Sequence, residues 1–500
     1  MHRPFLVIGI AVITASFITF KSGVLEAVLL LVVAMSVCIM FTVKNRDKIF
    51  KGVFIALIFM VIIIRFVSLI GYVENTNLKL AGRTVKIDGT VTSVLNNQEN
   101  FSRIMVKIKQ SSDQNAKGIV TQITVPESTS AIPGDRITAK VEFVEQDAKY
   151  KAYNYSNQRY FTGVAESITV FKTETFSTYR LTHNIREKIR QAVSLGGTGE
   201  ECAVLNALIV GDTSMLSDEL YNNVKASGVS HMLVVSGMHL GIICGLLIKT
   251  LRHRTRRWVT ILMGIITAAF ITFICLFHVS IVRASIAYFV MLAGRLLKRD
   301  SDGLSSLGFG VAVTTFVCPY IFYNVAFILS VSATFAVLYP SDMLIKAVSF
   351  KKFGKVMGKV FRYVYDILAV AVSAMVCTLP IVAYYFGYVV LIAPVTNLVV
   401  SFSVSAALIM GILAVIISFV PIIGQYLCQP FFFIARTCAR YFISAVNLIG
   451  SSGFGILNIS QNKIIYCFFI PVAFILLVRI FYIKQCRKKE KAYIAERQNT

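Results

Sequence analysis

Charge is scarce in this chain. Only 15% of its 500 residues are Asp, Glu, Lys or Arg, against 56% apolar, whereas a soluble domain normally carries about 25% charged residues. That deficit excludes an ordinary water-soluble globule. The ten cysteines lack any CxxC or paired spacing. Most of them, Cys244, Cys275, Cys318, Cys377 and Cys467 for example, sit inside apolar stretches and read as small buried hydrophobes. The segment from Glu74 to Thr198 contains none and so offers no internal disulfide. A His-rich metal motif is missing, so no metal and no cofactor is expected. The first apolar run lacks a small-residue cleavage site and is followed almost at once by two more, so it reads as retained rather than as a signal peptide.

What the chain has instead is apolar length. Its mean hydropathy is +0.71, and many runs approach the roughly 18 to 20 residues that cross a bilayer as a helix, where backbone groups must be satisfied within their own segment. Three such runs open the chain: Phe5–Phe20, Val24–Val43 and Val53–Gly71. Later spans cover His231–Ile248, Val259–Phe277, Ile281–Leu297, Leu304–Phe322, Ala326–Tyr339 and Ile367–Tyr384. One or two lie within Val389–Phe419, one near Phe431–Ile449, and one at Ile465–Phe481. The fold class expected is a polytopic α-helical membrane protein of about 11 transmembrane helices with an inserted small OB-like β-barrel domain.

The formal charge of +25 sits mainly in five short segments: Lys44–Lys51, Lys249–Arg257, Arg295–Arg299, Lys346–Arg362 and Lys484–Arg497. Together they hold 24 basic residues against only Asp47, Glu490 and Glu496. Basic loops beside apolar spans stay on the cytoplasmic side, so the charge is a topology signal. It places the N-terminus and the C-terminal tail on the cytoplasmic side of a cell membrane and the segment after Gly71 on the outer face.

From Arg83 to Lys172 the pattern changes to period two: Val85, Ile87, Val91; Ile104, Val106, Ile108; Val120, Ile123, Val125; Ile137, Ala139, Val141, Phe143; and Phe161, Val164, Ile168, Val170. Turn signals such as Pro133-Gly134-Asp135 separate the runs. Five short strands suit a small barrel, of which the OB-fold is the commonest five-stranded candidate. Next, Leu181, Ile185, Ile189 and Ala192 share one helical face, with Arg180, Arg186, Lys188 and Arg190 elsewhere, which reads as a helix on the membrane surface. The short apolar piece Cys202–Val210 cannot span; it reads either as a re-entrant, pore-buried element or as an interfacial helix. The resulting domains are 1–72 (N-terminal helices), 73–175 (extracytoplasmic OB-like domain), 176–227 (interfacial or re-entrant helices), 228–483 (membrane domain) and 484–500 (basic tail).

The most unusual segment is Gly228–Gly241, where His231, Ser236, Gly237, His239 and Gly241 interrupt an apolar span. Polar groups at membrane depth usually face a bundle interior or a wet cavity. On a straight helix His231 and His239 stand about 12 Å apart along the axis, too far for a shared metal. Ser236 and His239 are three apart and meet on one face, which leaves a serine nucleophile open; the plainer reading is glycine packing with histidines bonded to neighbouring helices.

Gly211-Asp212, Gly228, His231 and Ser236-Gly237-Met238-His239-Leu240-Gly241 together resemble the signature of ComEC-type competence proteins, the inner-membrane channels for DNA uptake. Further matches follow in order: Val282-Arg283-Ala284, Phe327 with Leu329-Ser330, Leu379-Pro380 with Phe386-Gly387, and Pro394 to Asn397. Pro133-Gly134-Asp135 and the run Asn154-Tyr155 to Tyr160-Phe161 are similar to the family's external OB-like domain. The chain has Ile328 where the family usually has Gln before Leu-Ser, and it stops without the metallo-β-lactamase-like domain that many members carry.

The resemblance implies a channel passing single-stranded DNA into the cytoplasm during natural transformation, with no catalytic residues and no enzymatic activity in this chain. Its path residues would be Gly211, Asp212, Gly228, His231, Ser236, Gly237, His239, Gly241, Arg283, Ser330, Pro380 and Asn397, with Arg283 the one to meet phosphate. Lys149, Lys151, Tyr153, Tyr155, Arg159 and Tyr160 would form a DNA-stacking platform. Implied partners are single-stranded DNA, membrane lipids, DNA-receptor and cytoplasmic translocation proteins, and a second copy of the chain in a homo-oligomer. The alternatives are an intramembrane hydrolase using Ser236 and His239, or a transporter of a smaller anionic solute.

Overall fold

The computed structural model describes residues 46–498 except 99–100, 127–128, 173–176, 252–253, 297–301, 351–353, 461 and 463. The expected crossings Phe5–Phe20 and Val24–Val43 lie outside the described residues, and the third falls within α1 (Arg46–Leu80). Contacts divide the chain into two compact units, Met1–Glu187 with Gly308–Asn324, and Lys188–Leu307 with Val325–Thr500.

In the first unit, β1 (Thr84–Gln98), β2 (Phe101–Ser111), β3 (Val120–Val125), β4 (Arg136–Phe143) and β5 (Phe161–Phe171) close a barrel in the order β1-β2-β3-β5-β4. The β3–β5 pair is parallel and the other pairs are antiparallel. The order is consistent with an OB-like domain, and closure leaves no strand edge unpaired. The alternation read from the sequence sets the inside: Val85, Ile87, Val91, Ile104, Val106, Ile108, Ile123, Val125, Ile137, Ala139, Val141 and Phe143 form one core. Strand β5 departs from the expectation. Phe161 is buried as expected, but Val164 is exposed and Ala165 points inward instead. An irregularity opposite Lys140 and Val141 shifts the register there, and such shifts turn alternate side chains to the other face. The helix α2 (Ala148–Ser156) lies in the connection from β4 to β5.

The second unit is helical. After α3 (Thr178–Ser194), which crosses the boundary between the units, come α4 (Glu200–Val210), α5 (Asp218–Ala226), α6 (Ser230–Leu233), α7 (Gly237–Leu251), α8 (Arg257–Ile274) and α9 (Val279–Leu296). Then follow α10 (Gly303–Val317), whose residues from Gly308 onward belong to the first unit, α11 (Val325–Ala336), α12 (Asp342–Ala347), α13 (Lys355–Phe386), α14 (Ala393–Ser418), α15 (Gly424–Leu427), α16 (Gln429–Ser451) and α17 (Ile464–Gln498). Among the described residues six stretches are long and apolar enough to cross a membrane: Arg257–Ile274, Val325–Ala347, Val356–Phe386, Ala393–Ser418, Gly424–Ser451 and Ile464–Arg487. Three shorter apolar helices, Gly237–Leu251, Val279–Gly294 and Gly303–Val317, accompany them. The chain is a multi-pass membrane protein.

The prolines do less breaking than their positions imply. Helix α13 runs through Pro380, and Pro394 sits in the first turn of α14, where a missing N–H has no partner to lose. The irregular turn is at Pro340, where Val337–Ser341 widens into a π-turn between α11 and α12. The short strands β6 (Tyr388–Val390) and β7 (Ile456–Asn458) pair antiparallel, which ties the end of α13 to the connection after α16.

Gly163 pairs with Ile123 on one side and Phe143 on the other, and a Cβ there would collide with Val141 Cγ1 and the Glu142 carbonyl. Overpacking of this kind costs about 1–3 kcal/mol. Gly163→Val in the full-length protein should lower hydrogen-exchange protection across β3, β4 and β5; unchanged protection would mean that the barrel closes without this glycine.

Candidate functional site

Capping geometry organises the His–Ser-Gly–His segment. Helix α6 ends at Leu233, Val234 turns extended, and α7 restarts at Gly237. The straight-helix separation expected for the histidines therefore does not apply; His231 and His239 are electrostatic neighbours. Ser236 Oγ accepts the Met238 N–H at 3.3 Å, as an N-cap residue does. Its own N–H donates to His239 Nδ1 at 3.3 Å, the reciprocal bond of a capping box with histidine in the place of glutamate. The Ser236 hydroxyl also lies 3.2 Å from Nδ1. An Nδ1 that accepts a backbone N–H carries no proton, so the neutral ring holds its proton on Nε2, a buried atom without a hydrogen-bond partner among the described residues. The Nδ1 lone pair is shared between the Ser236 N–H and its hydroxyl.

His231 differs from His239. Its ring bonds to the Gly228 backbone, and it stays exposed although protein surrounds it closely.

The glycines permit close approach. Gly228, at φ 77°, has no room for a side chain, since a Cβ would stand 2.6 Å from Ala393 Cβ on α14. Gly211 caps α4 at φ 76°, and a Cβ there would stand 2.9 Å from Val235. Gly237 packs toward Ala284 of α9, while Gly241 faces open space.

Beside Ala284 stands Arg283, which is 4% exposed. Its Nε and Nη2 donate to Ser330 Oγ of α11 at 3.2 and 2.6 Å. Among the described residues no carboxylate lies within ion-pairing distance of it. A hydroxyl satisfies donors but leaves the positive charge unbalanced, and an arginine at mid-bilayer costs about 2.5–3.5 kcal/mol on insertion scales.

Asp212 is also buried, but paired. Its Oδ1 accepts the N–H and hydroxyl of Ser214 at 3.0 and 2.7 Å, and its Oδ2 accepts Arg190 of α3. Burial disfavours its charge, yet the Ser214 bonds and the Arg190 guanidinium together hold the carboxyl below its ordinary range. The sequence reading had left Arg190 on a surface face. Asn397 bonds Ser401 of its own helix at 3.3 Å, and Pro380 is buried within α13. The structure thus gathers Ser236, Gly237, His239, Arg283 and Ser330 on α7, α9 and α11, joins Asp212 to α3, and leaves Pro380 and Asn397 on α13 and α14.

In the first unit the platform aromatics divide. Tyr155 is buried, with Tyr320 at 5.0 Å and Tyr160 at 5.5 Å between ring centroids, both edge-on. Asn77 Nδ2 donates to the Tyr155 hydroxyl at 2.9 Å. Burial pushes the Tyr155 phenol up to about 12 and raises that of Tyr160 as well. Tyr155 is therefore occupied within the fold and offers no ring face for stacking on a base, contrary to its expected role. Tyr150 and Tyr153 are exposed. Lys151 lies over the Tyr155 ring at 5.7 Å. Arg159 is half-buried, and burial, with Arg103 nearby, lowers its pKa. The Lys149 side chain lies outside the described residues.

Residues 208–483 match the family model described as Competence protein. This chain belongs to the competence-protein family. It is 26% identical over 206 residues to ComE operon protein 3 of Bacillus subtilis (strain 168), a match covering 41% of this chain and 25% of that protein. The matched stretch thus spans about a quarter of the relative's length. No solved structure matches.

The cap predicts its own test. Ser236→Ala should cost about 1 kcal/mol, read as a lower midpoint of thermal unfolding in detergent, and Ser236→Thr should keep most of it. Equal losses in the two variants would show that the hydroxyl does not cap α7.

Proposed function

We propose that this protein is a membrane channel that passes single-stranded DNA into the cytoplasm during natural transformation, through about eleven crossings, with the β domain on the outer face. Family membership supports the class of process. The observation that carries the reading further is Arg283, a buried guanidinium held by Ser330 and balanced by no carboxylate among the described residues. A passing phosphodiester supplies the missing negative charge. Arginine suits it because its donors form a planar fork matched to phosphate oxygens.

The neighbouring features fit that role. Gly237 lets α7 approach α9, and His231 is exposed, free to meet the path. The broken α6–α7 connection places polar backbone beside the path, where irregular backbone is tolerated at membrane depth. On the β domain, the exposed Tyr150 and Tyr153 with Lys151 are the part of the platform able to meet bases. Its net charge of +3 over residues 83–172, counted from the sequence, makes that contact weak and sensitive to salt. The reading assigns no catalytic residue, and DNA-receptor and cytoplasmic translocation proteins remain the proposed partners.

A hydrogen bond to a charged group contributes about 1.5–3 kcal/mol, which is about a tenfold to a hundredfold effect. Arg283→Ala should lower uptake of labelled DNA by about that factor at unchanged membrane level, with Arg283→Lys recovering only part of it. Normal uptake in Arg283→Ala would sink the phosphate role. For the platform, Tyr150→Ala with Tyr153→Ala should weaken binding of fluorescent single-stranded DNA to the full-length protein at low salt. Tyr155→Phe should not; a reversed order would mean that the buried cluster opens to bind.

A further inference from the structure

Periodicity placed α3 on the membrane surface and left Cys202–Val210 between two readings. The contacts of α16 point elsewhere. Arg436, Arg440 and Asn447 are spaced by four and seven residues and share one face of that membrane-length helix. Each is bonded to a successive point of one stretch of chain. Arg436 donates to the Gly196 carbonyl, Arg440 Nε donates to Glu201 Oε1 at 2.9 Å, and Asn223 Nδ2 donates to Asn447 Oδ1 at 3.1 Å.

Close packing extends the track in both directions. A Cβ on Gly196 would stand 3.0 Å from the Phe432 ring, and a Cβ on Gly450 would strike the Asn223 backbone. Phe432 and Gly450 are eighteen residues apart on α16, about 27 Å at 1.5 Å per residue. That is most of the roughly 30 Å hydrocarbon core. Gly196 and Asn223 therefore lie at opposite ends of a helix long enough to cross. Between them α4 is buried at eight positions, from Cys202 to Val210, so it is enclosed by protein.

The basic segments orient this track. Lys346–Arg362 precedes or opens α13 and Lys484–Arg497 ends α17, so both mark the cytoplasmic face. The β6–β7 pair at the far ends of those helices then marks the outer face. The start of α16, with Gly196 beside it, is cytoplasmic, and Asn223 is outer. With the β domain outside, the chain must already have descended before Gly196, and α3 is the segment available. Its 17 residues are about 26 Å long.

A descent by α3 has a chemical consequence. Ile189, Ala192 and Val193 form its buried side, while Leu181, Asn184, Lys188 and Gln191 are exposed. A stripe of Asn184, Lys188 and Gln191 at membrane depth is tolerable only against water. We infer that α3 and the Gly196–Ala226 stretch cross the membrane depth in opposite directions, and that Lys188, with Asn184 and Gln191, faces the aqueous path and contacts the phosphodiester backbone. The identity of the polyanion rests on the DNA-uptake reading; the two crossings do not.

Single cysteines in the full-length protein test this, with Cys486→Ser as the background because Cys486 is exposed. In intact protoplasts a membrane-impermeant maleimide should label Asn222→Cys directly and Thr198→Cys only after permeabilisation. Lys188→Cys should react with a small charged thiosulfonate, and Lys188→Glu should lower DNA uptake about tenfold, a loss of about 1.4 kcal/mol, at unchanged membrane level. Labelling of Thr198→Cys and Asn222→Cys from the same side would overturn the crossings. An unreactive Lys188→Cys would overturn the wet face. Labelling as expected with undiminished uptake in Lys188→Glu would overturn the DNA contact alone and leave the topology standing.

Discussion

A charged or hydrogen-bonding side chain on a membrane-length helix has to be paired, hydrated or matched by another polar surface, because the surrounding lipid does none of these. Helix α16 carries two arginines and an asparagine on one face, and the course of the chain from Gly196 to Asn223 follows from satisfying them. Arg436 takes a backbone carbonyl, Arg440 takes Glu201, and Asn447 takes Asn223. The same requirement joins Arg190 to Asp212. Among these cations Arg436 and Arg283 bond only to neutral groups, a backbone carbonyl and a hydroxyl, and Arg283 is the one for which we propose that a mobile anion completes the structure.

The barrel obeys the opposite rule. Its outer surface meets water, its core is a closed set of aliphatic side chains, and polar residues on the outside need no special partner. What makes it more than a spacer is the connection from β4 to β5, which carries both exposed and buried tyrosines. Buried Tyr155 and half-buried Tyr160 pack against Tyr320 within the same unit. Aromatic area is put to structural use there, and only the outer rings of α2 are left for a ligand.

Much of this was legible beforehand because periodicity and composition act locally. Strands β1, β2 and β4 bury the residues that alternation marks, since a closed barrel has one inside and one outside, whereas in β3 Thr121 rather than the expected Val120 is buried. Strand β5 slipped because its register is set by an irregularity against β4, which no property of β5 itself announces. The Ser236 to His239 spacing was visible, but the capping was not: three residues apart suits a nucleophile with its base as well as a capping box, and the bond from the Ser236 N–H to Nδ1 adds the capping role. Similarly, Pro340 rather than Pro380 marks the irregular turn, because a proline disrupts a helix only where the freed carbonyl and the ring cannot be accommodated.

The amino-acid sequence by itself determined that this chain lives in a membrane, which loops carry its positive charge, that a β barrel interrupts the helices, and that Gly228 to Gly241 with Arg283 is chemically out of place in lipid. Those properties are sums over neighbouring residues, and neighbours are what a sequence records. Tertiary structure decided which cations are neutralised and which are not: Arg190 by Asp212, twenty-two residues away, Arg440 by Glu201, 239 residues away, and Arg283 by no carboxylate among the described residues. Charge balance at membrane depth depends on distance in space, and only the packing of helices far apart in the chain sets that distance.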